Sequence, residues 1–186
     1  MIPRLSVKMI LHNLHNLSDY PLPDGYAARY FKKGDEHKWA EIETSAGEFS
    51  DVDSALKRFN DEFSPFLDEM EKRSVFIDTN EGKSIGTATA WYNNEFMDGT
   101  FGRLHWVGIH QDFQGKGLGK PLVSAAMNCL KQFHAKAYLT TQTTSAIAIK
   151  IYLDFGFEPL LFSDQCPTAW RLLAQELKHP LLKYYL

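Results

Sequence analysis

The segment Trp106-Val-Gly-Ile-His-Gln-Asp-Phe-Gln-Gly-Lys-Gly-Leu-Gly-Lys-Pro121 constrains the fold more than any other stretch of the chain. Residues 104–109 carry the apolar and aromatic side chains of a strand. Pro121 suits a first helical turn, where its missing N–H has no intrahelical partner to lose. From there Leu118, Leu122, Ala126 and Leu130, with Val123, Met127 and Phe133 beside them, form a wide apolar helical stripe. Between strand and helix, Gly115, Gly117 and Gly119 fall at every second place. Such a loop leaves the backbone N–H groups of the helix start unpaired, at the positive end of the helix dipole. Glycine lets that backbone lie close to a ligand. The outcome is a site for a phosphate or pyrophosphate, strengthened by Lys116 and Lys120. A Walker A loop is excluded, because His110 stands where its first glycine belongs and Gly117 follows the lysine. A dinucleotide fingerprint fails at Lys120, where its third glycine would be.

Upstream, the turn cluster Tyr20-Pro-Leu-Pro-Asp-Gly25 precedes a short strand over residues 26–31. Asp35 is placed to cap a helix over residues 36–45. A second helix follows Ser50 or Asp51, with Leu56, Phe59 and Phe63 on one face, and residues 66–72 add a further turn or two. The period then changes to that of strands at 75–77, 85–91 and 104–109, separated by a turn at 80–82 and a loop at 93–102. After the long helix come a strand at 136–140, a helix capped by Ser145 and ended by Gly156, and a strand at 157–162. A helix over 168–178 leads to the apolar tail at 181–186. A block of strands followed by alternation with helices predicts an α/β fold, a mixed twisted sheet of six or seven strands with helices on both faces. The expected organisation is an N-terminal extension (1–25), one domain (26–163) and a C-terminal helix and tail (164–186).

Composition narrows the function. Hydrophobic residues make up 44%, with 13 Phe, 8 Tyr and 4 Trp, enough for a core and a lined pocket. Twenty Lys and Arg against 23 Asp and Glu give a net charge of −3, without the basic excess of a nucleic-acid binder. Cys129 and Cys166 form neither a zinc motif nor a disulfide framework, so reduced thiols and a cytoplasmic location are expected. No stretch approaches the roughly 18 apolar residues of a membrane span. His12 and His15 are spaced as a helical pair but have no partner carboxylate, and no metal is expected.

Gln114, Gly117 and Gly119 fit Gln-x-x-Gly-x-Gly. On these residues the chain resembles the GCN5-related N-acetyltransferase (GNAT) family, whose acetyl-CoA loop is Arg/Gln-x-x-Gly-x-Gly/Ala between a central strand and the next helix. A later stretch, Ser145-Ala-Ile-Ala148-Ile-Lys-Ile-Tyr152-Leu-Asp-Phe-Gly156-Phe157, is similar to the family's Asn-x-x-Ala-x-x-x-Tyr-x-x-x-Gly-Phe, with Ser145 in place of the frequent asparagine. The resemblance runs from about residue 73 to 162.

It implies a GNAT-type fold and transfer of an acetyl group from acetyl-CoA to an amine of a small molecule or peptide, by direct attack without an acyl-enzyme. The pyrophosphate would lie on the N–H groups of Gln114, Gly115, Lys116, Gly117, Leu118, Gly119 and Lys120, and the pantetheine along Val107 and Ile109, with Ser145 also beside the cofactor. A lysine-like amine of pKa about 10.4 is neutral only to roughly one part in a thousand near pH 7, a handicap of about 4 kcal/mol that a base must offset. His105 is the candidate base, by similarity to a histidine on the same strand of aralkylamine N-acetyltransferases; a hydrogen-bonded structural histidine is the competing reading. The family often uses a tyrosine at the place of Tyr152 to protonate the leaving thiolate, against which stands a packed core tyrosine. An alternative from another class is a non-catalytic acyl-CoA-binding or sensing module.

Weaker features complete the reading. Trp39, Trp91, Tyr92 and Phe96 are expected in the core rather than around an acceptor. Glu41, Glu43, Glu48, Asp51 and Asp53 form an acidic stretch, expected as solvated surface rather than as a contact for a cationic acceptor. The apolar tail is compatible with a homodimer.

Overall fold

Arg73 ends a helix and Ser74 begins a strand, so the change of period marks the entry into a sheet. The computed structural model describes residues 2–185. Its strands are β1 (Ser6–Leu11), β2 (Tyr26–Tyr30), β3 (Ser74–Thr79), β4 (Ser84–Phe96), β5 (Gly99–Ile109), β6 (Ala137–Gln142) and β7 (Glu158–Leu160). Its α-helices are α1 (Glu36–Ser45), α2 (Val52–Phe63), α3 (Leu67–Arg73), α4 (Gly119–Phe133), α5 (Ala146–Asp154) and α6 (Cys166–Leu177). The strands form one seven-stranded sheet in the order β2-β3-β4-β5-β6-β1-β7, antiparallel throughout except for the parallel pair β5 and β6.

One face is covered by α1, α2 and α3 through Trp39, Ile42, Phe59, Phe63 and Met70, packed with Phe31 and Phe76. The other is covered by α4, α5 and α6, where Leu122, Ala126, Met127 and Leu130 of the expected stripe meet Leu153 and Trp170. Each such large apolar side chain contributes roughly 1.5–3 kcal/mol by leaving water. Asp51 caps α2 by accepting from Ser54 N at 2.7 Å. Asp35 precedes α1 but makes no side-chain cap; its carboxylate is occupied by Arg29 at 2.6 Å and Lys38 at 2.8 Å.

The sheet departs from the sequence reading in two places. Residues 6–11, expected in an extension, lie inside the sheet, paired antiparallel to both β6 and β7 with Val7 and Met9 fully buried. Residues 93–102, expected as a loop, are mostly strand: β4 and β5 continue into a hairpin turned at Met97 and Asp98, with φ of 49° and 57°. Phe96 stacks on Tyr138 at 3.7 Å and meets Phe101 at 5.1 Å, and this aromatic ladder outweighs the weak strand preference of Asn93 and Asn94.

The tail does not leave the molecule. Leu182 is buried in the core and the Tyr185 ring lies 6.3 Å from Trp170, while Leu181 and Tyr184 are exposed; Leu186 lies outside the described residues. Among the described residues no helix is long and apolar enough to cross a membrane.

Two irregularities of β5 prepare a site. Its pairing with β6 covers only Gly102 with Ala137 and Arg103 with Tyr138, and then the two strands part. Against β4, Thr87 faces Gly108 but Thr89 faces His105, so Trp106 and Val107 stand opposite one residue. That bulge places Trp106 at φ 47°, a region non-glycine residues seldom enter, and re-aims β5 away from β6.

Candidate active site

Beyond Ile109 the chain makes a short 3₁₀ turn at Gln111–Phe113 and then the glycine loop. Gln114 Nε2 donates to the Ile109 carbonyl at 2.9 Å and ties the loop to the end of β5. Gly117 adopts φ 77°, which a side chain would strain, and nothing lies within 4 Å of where its Cβ would be. Leu118 is buried and anchors the loop, while Gly115, Lys116 and Gly117 are exposed. The N–H groups of Gly115, Lys116, Gly117 and Leu118 have no acceptor among the described residues. They form a cradle of free donors at the N-terminus of the 15-residue α4, a chemistry suited to a phosphate group.

The neighbours of this cradle are not all free. Lys116 Nζ stays on the loop, 4.4 Å from the Phe113 ring centroid. Lys120 Nζ is engaged with Asp154 at 2.9 Å, a carboxylate that also meets His179 at 3.2 Å and Lys150 at 3.7 Å. A Cβ on Gly119 would stand 2.8 Å from Ile151 Cδ1, so that glycine answers first to the packing of α4 on α5. Ser145 occupies the N-cap position of α5, and its carbonyl accepts from Ile149 N, but its hydroxyl makes no cap hydrogen bond.

Where β5 and β6 part, a cavity of about 250 Å³ opens. Its walls include Glu43 from α1, Arg58 from α2, Arg103, His105 and Val107 from β5, and Tyr152 from α5. The residues singled out on β5 and α5 therefore converge, and the segment containing Val107 and Ile109 faces the gap with no strand paired to it on that side. A larger open depression of about 480 Å³ lies by the β4–β5 hairpin, beside His12 and Asp98, and shares no residue with loop or gap.

His105 Nε2 is 2.6 Å from Glu62 Oε1. The other Glu62 oxygen accepts from Trp106 Nε1 at 3.1 Å and Arg58 Nε at 3.0 Å. Burial alone would raise the Glu62 carboxyl, but the hydrogen bonds from His105 and Trp106 and the nearby charges hold it at about 2. Burial pushes the His105 imidazole below its usual value, more than the Glu62 hydrogen bond lifts it. With an ionised carboxylate on Nε2, the proton of the neutral ring belongs there, which leaves the lone pair on Nδ1. Sequence reasoning missed Glu62, which on α2 reads as the surface partner of Arg58 four residues before it.

Tyr152 is both core and cavity wall. Its ring packs 6.2 Å from Phe157, and burial, then the charges of Glu43 and Glu48, raise its hydroxyl above 10.0, so it keeps its proton. The expectation of a solvated acidic stretch holds for Glu41, Glu48, Asp51 and Asp53, which are exposed, and fails for Glu43. Its side chain is wholly buried because α1 lies against β5, and neither oxygen has a hydrogen-bond partner. Burial, with Glu48 adding to it, holds Glu43 well above the usual carboxylate range. Trp39 is in the core, as expected.

A sequence model described as the acetyltransferase (GNAT) family matches residues 29–157. The chain belongs to this family. This GNAT domain is 27% identical over 146 residues to a mycothiol acetyltransferase of Paenarthrobacter aurescens (strain TC1), a match covering 76% of this chain and 45% of the relative. Among solved structures, a GCN5-related N-acetyltransferase from Sphaerobacter thermophilus superposes with a TM-score of 0.66 at 18% identity, over 84% of this chain and 49% of that one. Glucosamine-6-phosphate N-acetyltransferase from Arabidopsis thaliana gives a TM-score of 0.55 at 20% identity, over 74% and 95%. At such identities the structural likeness shows the fold. The chain spans less than half the length of the mycothiol acetyltransferase and about half that of the Sphaerobacter protein. In this GNAT chain, β1 and α6 lie outside the matched span.

Proposed function

We propose that this GNAT domain transfers an acetyl group from acetyl-CoA to an amine of a small molecule or peptide, by direct attack. The reading rests on one observation: the loop of unpaired N–H groups follows directly on the freed end of β5, the strand whose His105, backed by the Glu62 carboxylate, and Val107 line the gap. Gln114 to Lys120 would hold the pyrophosphate, and Val107 and Ile109 would pair with the pantetheine as a neighbouring strand would. Bound there, acetyl-CoA supplies an activated acyl group on sulfur. Fixing it beside the acceptor is the main source of rate. His105 Nδ1 takes the proton that an ammonium acceptor must lose before it can attack, and Glu62 orients the ring and steadies the charge it acquires. Tyr152, still protonated, donates a hydrogen bond to the leaving sulfur.

The test is calorimetric titration with acetyl-CoA, followed by release of free CoA thiol across a panel of primary amines. Binding with turnover is expected. Absence of any affinity for acetyl-CoA sinks the proposal, and binding without turnover favours the sensing module.

A further inference from the structure

Among the described residues, Glu43 is the one carboxyl that is wholly buried with both oxygens unpartnered. Native structures keep nearly all buried polar atoms hydrogen-bonded, so two orphan oxygens on one side chain call for a cause. The place supplies one. Glu43 projects from α1 against Gly108, in the part of β5 that has lost its β6 neighbour, and lines the same gap as His105, Val107 and Tyr152. Replacing it by an apolar residue would remove the desolvation penalty, and the geometry points instead to a group kept free for a ligand.

We propose that Glu43 relays a proton from the attacking amine to the departing thiolate, one oxygen receiving it while the other gives one up. This rests on the acetyl-transfer reading above and adds a residue to it. An ammonium acceptor has two protons to lose. The first goes to His105 and on to water before attack. As the C–N bond forms and the C–S bond breaks, sulfur leaves with the electron pair of its bond, and nitrogen still carries the second proton. A carboxylic acid between them accepts that proton on its carbonyl oxygen and passes its hydroxyl proton to sulfur. It ends neutral and protonated, as it began, and the sum is an amide, a thiol and one proton released to water.

The surroundings favour the form this requires. Burial, then the charge of Glu48, favours the protonated carboxyl, and Arg58, Arg103, His105 and Tyr152 are the other ionisable groups on the gap. Tyr152 cannot easily replace it, since a hydroxyl raised above 10.0 is a weaker acid than a thiol of pKa about 8.5. A protonated carboxyl in a dry site is an established donor to developing negative charge.

Infrared difference spectroscopy of the full chain against Glu43→Gln at pH 7 reads this carboxyl directly, with CoA as the probe. A protonated-carboxyl band is expected in the wild type, missing from the variant, and shifted when CoA binds. No such band, or one that bound CoA leaves in place, overturns the relay. With an amine that turns over, taken from tyramine, spermidine, glucosamine and free amino acids, E43Q should lower kcat roughly 100-fold while the KM for acetyl-CoA changes less than about twofold. An unchanged kcat overturns the relay too. Failure of the wild type to bind CoA at all is a different result, and removes the acetyl-transfer reading beneath it.

Discussion

Gly108 runs past Glu43 so closely that a Cβ in place of its hydrogen would stand 2.9 Å from Oε1 and 3.0 Å from Cδ of the carboxyl. The contact joins α1 to the freed segment of β5, and it allows an acidic group to form a wall of the gap. Because the carboxyl is wholly buried, it has no solvent to retreat into. Gly108→Ala should therefore destabilise the protein by about 1–3 kcal/mol through overpacking, measured by urea denaturation. In a Glu43→Ala background the same substitution should cost much less. Additive effects would place the clash elsewhere.

Glu62 and burial pull His105 in opposite directions, and burial prevails. Glu62→Gln removes the charge that opposes burial, so the imidazole pKa should fall further. If His105 takes the acceptor's proton, the acidic limb of kcat/KM moves to lower pH, and the plateau drops roughly tenfold as the base weakens. Histidine NMR titration alongside the pH–rate profile checks both. A histidine that shifts while the kinetic limb stays put leaves His105 a structural residue.

The parts of this site that were legible in sequence are those made by local chemistry. Gln114, Gly117 and the stripe behind them announce a strand, an open loop and a helix within a few residues, and Tyr152 lies on one short helix with Gly156 just past its end. What was hidden depends on partners far along the chain. Ser6–Leu11 becomes a strand because β6 and β7 take it between them, and nothing near Arg4 or Lys8 says so. Glu62 meets His105 across 43 positions. Glu43 had a readable signal, since Trp39, Ile42 and Glu43 share one helical face. Its acidic neighbours argued for water, and only the docking of α1 on β5 decides for burial.

Gly117 and Gly119 are both part of the loop motif but answer to different physics. At Gly117 there is open space at φ 77°, so Gly117→Asp should abolish acetyl-CoA binding by placing a negative charge in the cradle, with a fold penalty of about 1–2 kcal/mol from backbone strain. At Gly119 a Cβ would strike Ile151, so Gly119→Ala should lower stability first and affinity second. Shortening the partner with Ile151→Val should recover part of the loss. Calorimetry and thermal melting on the three variants separate the effects; equal affinity in wild type and G117D removes the loop from the cofactor site.

The buried carboxyl also predicts how stability depends on pH. The unfolded chain ionises Glu43 near 4.5, and the folded protein only at a higher pH, so between the two the native state holds one proton more. Stability from this group is then present below 4.5 and lost as pH rises toward the folded value, by up to about 1.4 kcal/mol per pH unit. His105 and His134, both lowered from 6.5 by burial, act in the opposite sense as pH rises toward 6.5, and they are common to wild type and variant. The difference between E43Q and wild type therefore isolates Glu43, and E43Q should gain relative stability from pH 5 to pH 8. Denaturant unfolding at those two pH values measures it. Parallel curves would mean that Glu43 ionises at the same pH whether folded or not, which a carboxyl sealed against Gly108 without a hydrogen bond cannot do.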